Sequence, residues 1–129
     1  MGRRILLVDD DPAVRDSVAM VLESAGFVVD QADQGATALR LLRAQAPDLV
    51  ITDILMPQKE GIETIREIRL ILPNTPIIAI SGVADAGANY LKMAQSLGAT
   101  SIMAKPFDPR AMLKLVSELL GCGASAAPQ

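Results

Sequence analysis

Three observations predict the fold class of this chain. Short apolar runs alternate five times with stretches of helical periodicity, each run breaks off at charged or hydroxyl-bearing residues, and none approaches the roughly 20 residues of a membrane span. Such alternation predicts an α/β domain in which parallel strands carry helices on both faces, joined by right-handed crossovers. The expected architecture is a doubly wound, five-stranded parallel sheet of order 2-1-3-4-5 with five helices.

Arg4-Ile5-Leu6-Leu7-Val8 is the first strand and stops at Asp9, Asp10 and Asp11. Asp11-Pro12 joins an N-cap to the residue best suited to a first helical position. The helix it opens carries Val14, Val18, Val21 and Leu22 on one face and stops at Gly26. Phe27 to Asp30 reads as the second strand. A second helix, from about Gly35 to Ala46, turns Ala38, Leu39 and Leu42 inward, and Pro47 closes it. Leu49-Val50-Ile51-Thr52 is apolar or β-branched without a break, the mark of a strand buried on both faces. Asp53 follows at its C-terminal lip, because Pro57 cannot extend a ladder. After a loop over 54–61, a helix bearing Ile62, Ile65, Ile68, Arg69 and Leu72 ends at Pro73-Asn74. Pro76 to Ile80 is the fourth strand and ends at Ser81-Gly82. The helix expected over 86–97 has the weakest apolar pattern and contains Gly87. Ser101 to Ala104 is the fifth strand, ending at Lys105-Pro106. Asp108-Pro109 repeats the cap-and-proline signal and opens a last helix with Met112, Leu115, Val116 and Leu119 inward. One domain over 1–121 is expected, with 122–129 a flexible tail.

Composition removes several function classes. Phe27, Tyr90 and Phe107 are the only aromatics, so the core is aliphatic and bases have little to stack on. With 12 basic against 15 acidic residues the net charge is −3, no footprint for nucleic acid. The basic start is followed by too few apolar residues for a signal peptide, and Leu6 stands where a myristoylation signal needs Ser or Thr. With no export signal and a single Cys122, the expected location is the cytoplasm. The chain has no histidine, which excludes histidine metal sites, Ser-His-Asp catalysis and a phosphohistidine carrier.

The strand ends carry the chemistry. Asp9 and Asp10, Asp53, Ser81 and Lys105 each stand at a C-terminal lip, and strands one and three flank the switch point where such lips converge. Crowded carboxylates cannot all ionise cheaply without positive charge. Three of them with Lys105 leave two negative charges, which suits one divalent cation. An oxygen-only donor set favours Mg²⁺ or Mn²⁺ over zinc. Two plainer readings stand beside this one: Asp53 caps a turn, and the Asp9–Asp11 run is a solvated helix start. Asp11 is assigned to the cap and left outside the site.

In order and spacing, Val8-Asp9-Asp10-Asp11-Pro12, Thr52-Asp53-Ile54-Leu55-Met56-Pro57, Ser81-Gly82 and Lys105-Pro106-Phe107 resemble the receiver domain of two-component response regulators, a flavodoxin-like (CheY-like) fold. The resemblance runs from about Arg4 to Leu120. It implies that Asp53 accepts a phosphoryl group in a Mg²⁺-dependent reaction, with Mn²⁺ able to substitute, inside a bacterial phosphorelay. Asp10, Asp53 and the Leu55 carbonyl would hold the metal directly, and Asp9 would help through water. Lys105 would pair with Asp53 at rest and with a phosphoryl oxygen afterwards. Ser81 would donate its hydroxyl to the phosphoryl group, and the Lys105–Pro106 bond would be cis. The implied partners are a sensor histidine kinase or a histidine phosphotransfer protein upstream. Downstream stands a protein effector or a fused output domain, with a phosphorylation-dependent homodimer also implied. No nucleic acid or membrane is engaged directly, and the only chemistry is the domain's own phosphorylation and dephosphorylation. The signalling face would present Tyr90, Lys92, Met93 and Met112, switched through Ser81 and Ile102. Two positions depart from the family pattern: Ile102 replaces an aromatic switch residue, and Gly82 follows Ser81.

Two other classes use the same fold elements. A haloacid dehalogenase-type phosphohydrolase needs a second aspartate where Leu55 stands, and a flavodoxin would meet three acids where its phosphate binds. An inactive interaction module is disfavoured by the complete acidic and lysine set.

Overall fold

The computed structural model describes residues 3–53, 60–81, 92, 96, 98–105 and 107–121. Strands β1 (Arg4–Val8), β2 (Val28–Ala32), β3 (Leu49–Asp53), β4 (Ile77–Ser81) and β5 (Ser101–Ala104) form one parallel sheet in the order β2-β1-β3-β4-β5. Among the described residues there are four helices, α1 (Pro12–Ser24), α2 (Gly35–Ala44), α3 (Glu60–Ile71) and α4 (Pro109–Leu120), where the sequence predicts five. Most of the helix predicted over 86–97 lies outside the described residues. Lys92 and Ser96 within it are helical, and Ser96 Oγ donates to the Lys92 carbonyl at 3.1 Å. No helix among the described residues is long and apolar enough to cross a membrane.

Two apolar layers follow from the alternation of side chains along each strand. Ile5, Leu7, Leu49, Ile51, Ile78 and Ile80 point to one face and bury Val18 and Leu22 of α1 with Met112 and Val116 of α4. Leu6, Val8, Val50, Ile77 and Ala79 point to the other and bury Ala38 and Leu42 of α2 with Ile65 and Ile68 of α3. Both faces of the central strands are thereby covered, and all five residues of β3 are buried. That is why these strands are aliphatic without alternation in sequence.

The helix ends are set by the residues that predict them. Asp11 accepts the Ala13 N–H and Asp108 the Arg110 N–H, each with proline at the next position. Helix α4 stops at Gly121, whose φ of 70° lies in the left-handed region that glycine tolerates best. Several predicted boundaries move; α3 begins at Glu60, inside the loop expected over 54–61, and the ends of β2 and α2 shift for local reasons. β2 starts at Val28 because the Phe27 N–H still bonds the Leu22 carbonyl at the end of α1 (3.1 Å), and it runs on through Gln31 to Ala32. α2 ends at Ala44 because Gln45 is already extended, ahead of Ala46 and Pro47.

Arg69 ties the far side together. Its guanidinium donates to the carbonyls of Leu72, Pro73 and Gly98 at 3.0, 2.9 and 2.7 Å. Gly98 (φ 119°) leaves room for this, since a Cβ there would lie 2.9 Å from Arg69 Nε. Burial lowers the Arg69 pKa. The chain then returns to the sheet through Thr100, whose Oγ1 accepts the Ile77 N–H at 3.0 Å.

Candidate functional site

The two-residue period of the strands brings the reactive groups to one place. Asp9 continues the row Ile5-Leu7, Asp53 the row Leu49-Ile51, and Lys105 the row Ser101-Met103. β1 and β3 are neighbours in register, Leu7 opposite Ile51 and Val8 opposite Thr52, so the next pair along is Asp9 and Asp53. All three side chains therefore project on the α1/α4 side of the sheet at its C-terminal edge.

Lys105 Nζ lies 2.9 Å from Asp53 Oδ2 and 3.0 Å from Asp9 Oδ2. Both carboxylates are buried, and the lysine is nearly so. One ammonium thus serves two acids, where the sequence suggested a pair with Asp53 alone. Asp9 Oδ1 also accepts the Asp11 N–H at 2.8 Å. Asp10 is exposed on the same turn, and carboxylate oxygens of Asp9, Asp10 and Asp53 all lie within 4.8 Å of one another.

Burial pushes the Asp9 carboxyl above its ordinary pKa, and the Asp53 charge adds to this. The Asp11 N–H and Lys105 oppose both without cancelling them. For Lys105, burial pulls downward, but the hydrogen bond to Asp53 and the two negative charges outweigh it, so its pKa rises above the ordinary 10.5. The site holds more negative charge than its lysine neutralises.

The donor set fits a hard divalent cation. Asp9 Oδ2 is buried, and the Lys105 ammonium 3.0 Å away is the one cation at it among the described residues, shared with Asp53. A buried carboxylate oxygen with unused acceptor capacity costs free energy unless a cation or proton meets it. The other candidate ligand atoms beside it, from Asp10 and Asp53, are carboxylate oxygens, the donor chemistry of a magnesium-type site.

A family model described as the response regulator receiver domain matches residues 5–117. The chain belongs to that family. The chemotaxis protein CheY of Halobacterium salinarum is 31% identical over 120 residues, which cover 93% of this chain and 98% of that protein. The response regulator MprA of Mycolicibacterium vanbaalenii is 34% identical over 134 residues, covering 98% of this chain but 57% of that regulator. The chain therefore spans little more than half of some curated relatives and nearly all of others. The crystal structure of a CheY-like receiver domain protein from Methanospirillum hungatei superposes with a TM-score of 0.85 at 30% identity, covering 94% of this chain and 95% of that one.

In this receiver domain Ser81 is the last residue of β4. The Ser81 side chain, the Leu55 carbonyl, the Lys105–Pro106 bond, Tyr90, Met93 and the tail over 122–129 lie outside the described residues. Ile102 is half-buried and packs against the α2/α3 layer, on the opposite face from the acidic cluster. Met112, expected on the signalling face, is instead fully buried between α1 and α4, because its position on α4 points at the sheet.

One residue escaped the sequence reading. Arg15, in the second turn of α1, donates to the Asp9 carbonyl at 2.7 Å and through Nε to Gln31 Oε1 at 3.3 Å. A cation near a helix N-terminus opposes the helix dipole, so it calls for a compensating acceptor, and that was the available signal. Beside Lys105, a groove of about 320 Å³ runs between α1 and the start of α4, walled by Val14, Val18, Phe107 and Pro109.

Proposed function

We propose that this receiver domain accepts a phosphoryl group on Asp53 from the phosphohistidine of a sensor histidine kinase or histidine phosphotransfer protein. The observation that carries the reading is the Asp53 carboxylate, buried at the end of the central strand with Lys105 Nζ at 2.9 Å and two further carboxylates around it. Phosphoryl transfer asks for little covalent chemistry and much positioning and charge compensation. A rigid strand end, a fixed cation and clustered carboxylates able to hold a second cation are what it needs.

An Asp53 oxygen attacks phosphorus as the donor's P–N bond breaks; the electron pair stays on the imidazole nitrogen, which takes up a proton. Asp53 is a nucleophile as a carboxylate, so no general base is required. Lys105 moves its hydrogen bond from Asp53 to a phosphoryl oxygen, and the Ser81 hydroxyl donates to another. Asp9, Asp10 and Asp53, with the Leu55 carbonyl, would hold Mg²⁺ or Mn²⁺, which supplies charge neutralisation at the phosphoryl oxygens when bound. Ser81 and Ile102 form the switch; with an aliphatic residue at 102 the change in exposed surface is smaller than an aromatic ring would give.

The domain spans 1–121, works in the cytoplasm and turns over only its own phosphate. Its readout is a protein effector, a fused output domain or a phosphorylation-dependent homodimer. Mass spectrometry after incubation with acetyl phosphate and Mg²⁺ tests the acceptor. One added phosphate is expected, absent with EDTA and absent in Asp53→Asn. Full labelling of Asp53→Asn would refute the assignment.

A further inference from the structure

Asp10 is the exposed member of the acidic cluster. Asp9 is held by Lys105 and by the Asp11 N–H, and Asp53 by Lys105, whereas the Asp10 carboxylate has no hydrogen bond or ion pair among the described residues. Its direction depends on the backbone that carries it. The Asp9 carbonyl and the Asp10 N–H belong to one planar peptide unit, so whatever fixes that carbonyl also fixes ψ of Asp9 and φ of Asp10. The Asp9 N–H is anchored by the sheet, donating to the Ala32 carbonyl at 3.1 Å. Its carbonyl is past the ladder, and there Arg15 takes it at 2.7 Å.

We infer that Arg15 is a positioning residue for Asp10, locking the Asp9–Asp10 peptide so that the exposed carboxylate faces the cation site. Arg15 is itself braced from three sides. Its N–H bonds the Asp11 carbonyl at 3.0 Å in α1, its Nη1 holds the end of β1, and its Nε reaches Gln31 on β2. The clamp joins the acidic turn to two strands and a helix. Groups that orient a metal ligand through a hydrogen bond commonly matter nearly as much as the ligand.

The inference rests on the metal reading above and makes a prediction opposite in sign to simple electrostatics. Removing a positive charge near an anionic site should tighten cation binding if charge is all that matters. Removing a positioning clamp should weaken it. Mg²⁺ titration followed by the amide chemical shifts of Asp9, Asp10, Asp11 and Ala13, at fixed ionic strength, separates the two without any phosphorylation assay. Arg15→Met is expected to bind Mg²⁺ roughly tenfold more weakly than the natural protein. Arg15→Lys, which keeps a donor for the carbonyl, should fall between them. Gln31→Leu, which removes only the brace on Nε, should give a smaller loss and decides the matter if Arg15→Met does not fold. Unchanged or tighter binding in Arg15→Met, with Asp10→Asn impaired, would overturn the inference; so would a lower melting temperature at unchanged affinity. Normal Mg²⁺ binding by Asp10→Asn would instead overturn the metal reading itself.

Discussion

Near the N-terminal end of the strands, Arg4 meets Asp30 at 2.8 Å with both side chains partly open to water, and Asp48 accepts the Arg4 N–H at 2.7 Å. At the C-terminal end, Lys105 serves Asp9 and Asp53 together with both carboxylates buried, and Asp10 stands within 4.8 Å. The first arrangement is matched one to one, and solvent screens it; pairs of that kind contribute little. The second is mismatched in a medium that magnifies the mismatch. A fold selected only for stability would fill such a place with apolar or neutral groups, since buried ion clusters seldom repay their desolvation. Retained excess charge at one end of an otherwise economical sheet is what singles out that end for the proposed chemistry.

The largest effect expected from this contrast comes from Lys105→Met. Asp9 and Asp53 would lose their shared cation, and urea denaturation should show a loss of about 3 kcal/mol. Adding Asp9→Asn should restore a substantial part of it, because the two residues are in direct contact. Losses that simply add would mean the cluster is less coupled than its distances indicate.

Asp9→Asn alone should act in the opposite direction. The folded-state pKa of Asp9 is raised, so its favourable contribution is complete below the ordinary 3.8 and is lost as pH rises through the folded value. At pH 7 the ionised side chain is a burden, and the Asn variant, without divalent metal, should be more stable by about 1 kcal/mol. The advantage should shrink as pH is lowered toward 4. An advantage that does not change with pH would show that packing, not charge, is responsible.

The smallest effect belongs to the other end. Arg4→Met should cost below about 0.5 kcal/mol and lose even that in high salt. A loss comparable to that of Lys105→Met would erase the distinction between the two ends.

Much of this was legible beforehand because the local signals are physical requirements. Asp11-Pro12 and Asp108-Pro109 mark helix starts through hydrogen bonds that the structure contains, and the unbroken Leu49–Thr52 run demands cover on both faces. The β2 boundary was less legible because the outer strand carries Asp30 and Gln31, polar residues that resemble a turn. At the site, the residue types were readable but not the sharing of them. That Lys105 bridges two acids follows from side-chain parity along three strands that meet only in the folded sheet. Parity also puts Ile102 on the face opposite Lys105, which a two-residue period read through β5 could have foretold. Arg15 was hidden because its partner is a carbonyl, which every residue possesses and no sequence distinguishes.

β3 is hydrogen-bonded to a strand on either side and buried along its whole length. Amides so placed exchange with solvent water only when the whole domain opens, so Val50, Ile51 and Thr52 should set the upper limit of protection in a hydrogen-exchange map. The proposed acceptor is therefore mounted at the end of a strand expected to exchange among the slowest of the described residues. A phosphate arriving there would find a base that does not yield, and whatever it displaces has to be drawn from side chains and turns around the strand's end.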